Sequence, residues 1–364
     1  MRESSARKGE PMNSAAPTLD VVTAPQASRP LFVLSVPRSG STLLYALLNQ
    51  HSQIALLYEA DLPTMHLYLL GRLRRGAWRE KWEFWNQAPS RHGIAIESMP
   101  ARVSDVWEAT RIVYQSVARR KRAAIWGEKT PQWYHCALYI AEKFPDASFI
   151  FLWRDMQAVM GSIVRAAVTE RLFRKEGFAN RALLGNEQLR RACDALKARG
   201  RLVHEVNYED LASNTPECMQ QICQFLELPF EPQLTSLEGT DLTALTRGKH
   251  HASVRSNRIV SPRKHAEVVP QVTAAKIDRY ICYWRQRYGG NWPKYPLELT
   301  EGTQPAPLYE RWRDRFTYER LILWDKIVIV IYSITPLSMA RLWRQKIRPF
   351  VYPRKYRGRP EVVS

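Results

Sequence analysis

Two hydrophobic patterns alternate along the chain between residues 30 and 296. Short continuous apolar runs, as at residues 31–34 and 147–153, are typical of strands buried on both faces of a parallel sheet. Apolar positions three or four residues apart, and stretches rich in helix formers, predict helices at residues 42–49, 107–119, 131–143 and 171–202. The alternation predicts an α/β fold built on a doubly wound, mostly parallel sheet.

Three segments differ from this central pattern. Residues 1–29 contain polar residues, Ala and repeated Pro without an apolar run, so we expect a flexible lead-in and not a signal peptide. Residues 62–102 are less regular and predict a helical insertion. Residues 296–364 predict a helical extension with a basic tail, which leaves residues 30–295 as the main domain.

The first apolar run ends in a small, hydroxyl-rich turn that opens a helix. Its sequence is Pro37-Arg38-Ser39-Gly40-Ser41-Thr42. Backbone N–H groups and the positive end of the helix dipole bind phosphate at such a turn; Gly40 permits close approach, and the three hydroxyls add donors. The lysine of the nucleoside-triphosphate loop is absent, because Ser41 follows Gly40. Arg38, the cation of this P-loop-like turn, suits an anionic group attached to a nucleotide phosphate.

A second strand, turn and helix follow the run at residues 147–153. Arg154 and Asp155 end the run, and Asp155 is a candidate N-cap for the helix that follows. Ser162 lies about two helical turns further on, which returns it towards the turn. Arg154 and Ser162 are therefore expected to contact one anion.

These two motifs resemble those of the sulfotransferase family. The family's 5′-phosphosulfate loop reads P-[RK]-[ST]-G-[ST]-T, which residues 37–42 match, and its 3′-phosphate site is an Arg at a strand end with a Ser eight positions later, as in Arg154 and Ser162. Met156 replaces a Pro that is frequent in the family, which costs rigidity but no ligand. The resemblance covers residues 30–290 and implies that the donor is 3′-phosphoadenosine 5′-phosphosulfate. It also implies that the sulfuryl group passes directly in line from the donor oxygen to the acceptor oxygen, without a metal or a covalent enzyme intermediate.

Two weaker elements follow in the family's order. Tyr208 opens a Tyr-Glu-Asp-Leu sequence after a short strand, and by resemblance it lies near the adenine; a core tyrosine is the alternative. Arg255 and Arg258 belong to a basic stretch where the family places a loop that closes over the 3′-phosphate. The family's full pattern is absent there, so solvated loop charges are the alternative for both.

The candidates for the catalytic base are two glutamates. Glu59 follows the helix after the loop, where a second strand would bring its end beside the first, and tyrosyl-protein and some bacterial sugar enzymes are similar in placing a glutamate there. Glu128 is the rival, because a similar Glu-Lys pair serves the glycan-modifying branch. By the same resemblance Lys129 bridges to the donor, and Arg38 stabilises the leaving side. A helix cap or an ion-pair partner remains the alternative for each glutamate.

Composition limits the remaining possibilities. The chain has 364 residues, 54 Lys and Arg against 35 Asp and Glu, and a formal net charge of +19. His250 and His251 are adjacent and the five cysteines form no C-x-x-C pair, so we expect no metal site. We also expect the cysteines to be reduced, mostly buried thiols in a reducing compartment.

The insertion at residues 62–102 interleaves aromatic and basic residues. They are Trp78, Trp82, Phe84 and Trp85 with Arg72, Arg74, Arg75, Arg79 and Lys81. Such a surface suits sugar stacking over an acceptor pocket, whereas an amphipathic helix that packs its tryptophans inward is the alternative. No recognisable nucleic-acid module accompanies it, so nucleic acid is not an expected partner.

The C-terminal extension combines apolar, aromatic and basic residues. Its charge-free run, residues 327–340, contains Pro336. With 14 residues, this run is too short for a helix that crosses a bilayer. The aromatic residues are Tyr318, Trp324, Tyr332, Trp343, Tyr352 and Tyr356, and the basic ones are Arg341, Arg344, Lys346, Arg348, Arg354 and Lys355. This composition favours an anionic membrane surface. A helix docked on the core or on a second subunit is the alternative.

Three functions fit these features. The first is a sulfotransferase acting on a hydroxyl of a glycan, glycolipid or lipid-linked acceptor, with a protein tyrosine also open. The second is a P-loop kinase or nucleotide hydrolase, and the third is a non-catalytic basic protein that binds membrane or polyanion. We expect a cytoplasmic location, peripheral at the inner membrane face.

Overall fold

The structure is a computed structural model that describes most of the chain. The described residues are 29–60, 78–95, 97, 99, 106–131, 133–169, 173, 176–245, 254, 256, 259, 270–289, 302–342 and 345. Within these ranges no helix has the length and apolar character needed to cross a membrane.

Five parallel strands form one sheet in the order β2–β3–β1–β4–β5. The strands are β1 Arg29–Ser35, β2 Ile54–Tyr58, β3 Ile125–Lys129, β4 Ser148–Trp153 and β5 Leu202–Asn207. All but β5 are buried along their whole length or nearly so, as their apolar runs indicate. The predicted α/β class with a parallel sheet is confirmed.

The position expected for the second strand is wrong. β2 does not lie beside β1, because β3 inserts between them: Ile125 is opposite Ile54 on one side and Arg29 on the other. The end of β2 therefore meets the end of β3, where Tyr58 is opposite Lys129. Strand order depends on contacts distant in sequence, which local patterns do not carry.

Helices surround the sheet at most of the predicted positions. The described helices are α1 Ser41–Leu48, α2 Trp78–Asn86, α3 Ala88–Arg91, α4 Val106–Lys121, α5 Ala137–Lys143, α6 Met156–Thr169, α7 Glu176–Ala198, α8 Tyr208–Ser213, α9 Thr215–Phe225, α10 Gln271–Tyr288, α11 Leu308–Ile334 and α12 Leu337–Leu342. The helix expected at 131–143 is shorter, because a 3-10 turn, Trp133–His135, precedes α5 and Cys136 N–H bonds Trp133 O at 2.9 Å.

Two hydrophobic cores lie on opposite faces of the sheet. Phe32 contributes to one, with its ring centroid 5.7 Å from those of Trp133 and Phe144. Leu31 and Val33 belong to the other, together with the apolar side chains of α1 and α9. This alternation leaves the strand ends, where the turns begin, as the place for polar chemistry.

The insertion and the cysteines behave as ordinary structural elements where they are described. Trp82 is 1% exposed and donates its indole N–H to Ala60 O at 3.1 Å, in agreement with a helix that packs this tryptophan inward. All five cysteines are thiols outside any disulfide; four of them are buried and Cys282 is half-buried. Part of the predicted basic surface lies outside the described residues, namely Arg72, Arg74 and Arg75 of the insertion. The basic tail beyond residue 345 lies outside them as well.

Candidate active site

The turn between β1 and α1 has the backbone geometry of an anion site. Gly40, the N-cap of α1, has a φ of 91°, and Arg38 has a φ of 72°, both in the left-handed region. The hydrogen bonds of α1 begin with Leu43 N–H to Gly40 O at 2.9 Å. The N–H groups of Ser41 and Thr42 precede that bond, so they face the helix start without intrahelical acceptors.

The second motif is joined directly to this turn. Arg38 donates from Nε to Ser162 Oγ at 3.1 Å, and Arg154 donates from Nη1 to the backbone oxygen of Arg38 at 2.9 Å. Asp155 accepts the N–H groups of Gln157 and Ala158, both at 3.1 Å, which confirms the predicted N-cap of α6. The cap fixes α6 so that Ser162 returns to the turn, as the two-turn spacing predicts.

Tyr208 packs between the two motifs. The guanidinium of Arg154 lies 4.0 Å from the centroid of the Tyr208 ring, and Tyr208 is 5% exposed. A Cβ added at Gly40 would lie 2.2 Å from Tyr208 Cδ2. Glycine at position 40 is therefore required both by its φ and by this ring, and burial raises the pKa of the Tyr208 hydroxyl.

Two buried polar atoms of this cluster have no hydrogen-bond partner among the described residues. They are Ser39 Oγ, on a fully buried residue, and Arg154 Nε. Each such atom costs about 1–3 kcal/mol when it stays unsatisfied. An anion bound at the cluster would supply acceptors, so the residues present fit the phosphates of a nucleotide donor.

The other half of the site lies at the adjoining ends of β2 and β3. Lys129 is fully buried, and its Nζ is 2.7 Å from Oε1 of Glu59, whose side chain is 35% exposed. The same Nζ lies 3.8 Å from the centroid of the Tyr58 ring. Burial lowers the pKa of Lys129, and the Glu59 carboxylate opposes that shift.

Tyr58 connects the two halves. Its hydroxyl lies 3.3 Å from Thr42 Oγ1, in the first turn of α1. Burial, first of all, raises the pKa of Tyr58 well above its usual value, with the Glu59 charge adding to the effect. A continuous series of contacts thus runs from the anion turn through Thr42 and Tyr58 to Lys129 and Glu59.

Glu59 is held in an unusual backbone conformation. Its φ of 45° is left-handed, which costs of order 1–3 kcal/mol for a residue with a side chain. Glu59 N–H donates to Lys129 O at 3.0 Å, and Arg91 Nη2 donates to Glu59 O at 3.2 Å. His92 Nε2 accepts the N–H of Tyr58 at 2.9 Å. Sequence reasoning missed Tyr58, Arg91 and His92, and the last two belong to the insertion, where no motif marked them.

Glu128 points to the opposite face of the sheet. It is fully buried, and its carboxylate accepts hydrogen bonds from the hydroxyls of Tyr114 and Thr130. Neighbouring residues on a strand alternate between faces, so Lys129 and Glu128 cannot serve one site as a pair. This location argues against Glu128 as the base; recognition of residues 125–129 as a strand would have revealed it.

Arg255, Arg258 and Lys129 are the remaining predicted ligands. Arg255 and Arg258 lie outside the described residues. Lys129, expected to bridge to the donor, has no exposed surface and contacts Glu59 instead. Within the described part of the chain, no group of three or more His, Cys, Asp or Glu side chains is placed to hold a metal ion.

A parallel sheet with a glycine-capped turn and helix after its central strand is typical of nucleotide-binding α/β proteins. A profile described as the sulfotransferase family matches residues 30–232, which is more than half of the chain and includes Arg38, Glu59, Lys129, Arg154, Ser162 and Tyr208. The chain belongs to the sulfotransferase family.

Among curated proteins, the chain is similar to two protein-tyrosine sulfotransferases. It is 26% identical over 205 residues to protein-tyrosine sulfotransferase A of Caenorhabditis elegans, covering 56% of this chain and 51% of that protein. It is 28% identical over 207 residues to the protein-tyrosine sulfotransferase of Drosophila melanogaster, covering 55% and 38%. The chain thus spans about half the length of these relatives, or less.

Two solved structures are also similar. The sulfotransferase domain from the curacin biosynthetic pathway aligns at 21% identity and a TM-score of 0.45, over 82% of this chain and 98% of that domain. The sulfotransferase domain of the Synechococcus PCC 7002 olefin synthase aligns at 21% identity and a TM-score of 0.47, over 69% and 94%.

Proposed function

We propose that this protein transfers a sulfuryl group from 3′-phosphoadenosine 5′-phosphosulfate to a hydroxyl group. The observation that carries the proposal is the direct connection of Arg38 to both Ser162 and Arg154. It brings the 5′ and 3′ anion motifs of the sequence into one cluster. Membership of the sulfotransferase family supports the same reaction.

The turn and its arginine serve the leaving side of the reaction. As the bond between sulfur and the bridging phosphate oxygen breaks, negative charge grows on the phosphate that leaves. The N–H groups at the start of α1 and the guanidinium of Arg38 donate to that charge. Ser162 holds Arg38 by its Nε, and Tyr208 supports Arg154, so both cations are positioned before the donor binds.

Glu59 serves the acceptor side as the general base. It accepts the proton of the acceptor hydroxyl while the acceptor oxygen forms its bond to sulfur. Its partly exposed carboxylate is suited to this role, whereas that of Glu128 is enclosed in the core. Lys129 holds the Glu59 carboxylate through the 2.7 Å contact and acts as a positioning residue.

Two acceptor classes each have one observation in their favour. The protein-tyrosine sulfotransferases among the relatives favour the phenolic hydroxyl of a tyrosine. A glycan, glycolipid or lipid-linked hydroxyl is favoured by the exposed apolar surface of α11, which is described below. The proposal commits to a hydroxyl acceptor and leaves these two classes to a direct comparison.

Calorimetric titration with 3′-phosphoadenosine 5′-phosphate, and separately with ATP and Mg²⁺, tests the donor. We expect tight binding of the bisphosphate, at least tenfold tighter than ATP, and its loss in Ser162→Ala and Arg154→Ala. Equal or preferential binding of ATP, unaffected by these substitutions, would favour a P-loop kinase or hydrolase. Absence of binding by either nucleotide would favour a non-catalytic basic protein.

Transfer of ³⁵S from labelled donor tests the acceptor. Tyrosine-containing acidic peptides, oligosaccharides and a lipid-linked glycan are compared at equal concentration. Each acceptor is assayed once with the unaltered protein and once with the Glu59→Gln variant. Labelled product that forms with one acceptor class and is lost in the Glu59→Gln variant identifies the class of acceptor. Product that is equally abundant with the variant would remove Glu59 from its role.

A further inference from the structure

The helix α11 has two faces of opposite character. The face towards the core carries Glu310, Asp314 and Tyr318, which are 4%, 2% and 2% exposed. Arg279 binds Glu310 with two hydrogen bonds of 2.9 and 3.1 Å, and Lys276 Nζ lies 2.6 Å from Asp314. These buried ion pairs fix the rotation of α11, so its opposite face is held outward.

The outward face carries large apolar side chains along its length, with the charged residues Glu319 and Arg320 in the turn between Phe316 and Leu323. We call it the apolar stripe; its members are Trp312, Phe316, Leu323, Ile327, Val330 and Ile334. Their exposed fractions run from 69% at Trp312 to 41% at Ile327. Their spacings of three, four and seven residues place them on one side of the helix, over a length of about 33 Å at 1.5 Å per residue. Exposed apolar rows of this size mark interaction sites.

Exposed cations border the apolar stripe. At 100° per residue, Arg313 and Arg320 follow one edge of the stripe and Arg315 and Lys326 follow the other, and all four are exposed. Glu319, an exposed acid on this side, is paired with Arg315 at 2.7 Å. An apolar row between basic borders is the pattern of a helix that lies in the interface of an anionic bilayer.

We propose that the apolar stripe of α11 binds the surface of an anionic lipid bilayer. The helix lies along the surface, because the buried charges of Glu310 and Asp314 and the body of the protein occupy its other face. Charge favours lipid over a second copy of the chain. With a net charge of +19 and cations along both edges, two apposed stripes would repel, whereas anionic headgroups attract each border cation by about 1 kcal/mol. None of the stripe residues belongs to the donor side or the base side of the candidate active site, so vesicle binding tests this proposal separately from transferase activity.

Co-sedimentation of the full chain with vesicles tests the proposal. We expect binding to phosphatidylcholine vesicles that contain 30% phosphatidylglycerol, little binding to phosphatidylcholine alone, and weakening as salt rises. Phe316→Ser with Ile327→Ser removes two members of the stripe and should weaken partitioning at least tenfold. Arg320→Gln with Lys326→Gln should weaken it by about tenfold or more on anionic vesicles.

A matched control separates the stripe from general exposure of apolar residues. Val168→Ser with Val272→Ser changes two residues that are 73% and 84% exposed on other helices, and we expect unchanged partitioning. Circular dichroism checks that each variant folds. If the stripe variant misfolds, quenching of tryptophan fluorescence by brominated lipid serves instead, with a smaller effect expected in Trp312→Phe, because Trp312 is the tryptophan of the stripe.

Three results would overturn the proposal. The first is no binding of the unaltered protein to anionic vesicles. The second is binding that the stripe variant does not weaken, which would assign it to other basic surfaces. The third is a dimer of the unaltered protein, measured by light scattering, that dissociates in the stripe variant while the unaltered protein binds no vesicles. That result would assign the apolar stripe to a contact with a second copy of the chain.

Discussion

The donor side and the base side of the site are built in different ways. On the donor side, Arg38, Arg154 and Ser162 come from two strand-turn-helix units, and each unit is continuous in sequence. On the base side, Glu59 and Lys129 lie 70 residues apart and meet only because β3 is next to β2. The donor side therefore depends on local turn geometry, and the base side depends on strand order.

The largest effect is expected when the base is neutralised. Glu59→Gln keeps the shape of the side chain but removes the proton acceptor, so kcat should fall by about 10²–10⁴-fold. Binding of 3′-phosphoadenosine 5′-phosphate should stay within about threefold, since the donor side is unchanged. Steady-state kinetics and calorimetry on the same preparation measure both quantities.

Glu128→Gln is the matched control, because it makes the same change one strand away in the core. We expect it to lower the free energy of unfolding by about 1–3 kcal/mol, through the hydrogen bonds of Tyr114 and Thr130, with little change in kcat of the folded protein. If Glu128→Gln abolished turnover while Glu59→Gln did not, the assignment of the base would be reversed.

The next largest effect is expected on the donor side. Arg154→Ala removes a buried cation that binds the turn and stacks on Tyr208, and the affinity for the bisphosphate should fall about 30- to 100-fold. Arg154→Lys restores the charge without the planar fork and should recover only part of the affinity. Calorimetry measures both; equal affinity in all three proteins would remove Arg154 from the donor site.

The same contrast explains how much of the site the sequence reveals. The donor motifs were predictable because a Gly in a turn, an N-cap at Asp155 and an eight-residue spacing are local features. The pairing of Glu59 with Lys129 was not, since no local pattern states that β3 separates β2 from β1. The opposite directions of Glu128 and Lys129 follow from strand alternation once residues 125–129 are known to be a strand. Arg91 and His92 contact the backbone of residues 58 and 59 from the insertion, and only the packed structure shows this.

A smaller effect sharpens the role of Lys129. Lys129→Met removes the buried ammonium and keeps the volume, and kcat should fall by about tenfold while the affinity for 3′-phosphoadenosine 5′-phosphate stays within about threefold. The reason is that the carboxylate of Glu59 loses the contact at 2.7 Å that positions it. The free energy of unfolding should change little, because a buried charge costs desolvation energy. An unchanged kcat would mean that Lys129 does not position Glu59.

The smallest effect is expected in the acid stability of the base side. Burial lowers the pKa of His92 to about 4, as its Nε2 accepts the Tyr58 N–H. The unfolded chain, with a pKa near 6.5, therefore takes up the proton first, and stability falls as the pH drops from about 6.5 towards 4. The loss between pH 6.5 and 5.5 should be about 1 kcal/mol.

His92→Gln keeps an acceptor for Tyr58 but cannot titrate, so its stability should vary less over this range. The pKa of His135, at the contact with Tyr318 of α11, is also lowered to about 4 by burial. His135→Gln is thus a matched control that removes a similar proton uptake far from Glu59 in sequence. Chemical denaturation at pH 6.5 and 5.5 measures both variants. We expect each variant to lose about 1 kcal/mol less than the unaltered protein over this range, because each removes one histidine that takes up a proton on unfolding. A His92→Gln protein whose loss equals that of the unaltered protein would contradict this account and would assign the acid sensitivity to other groups.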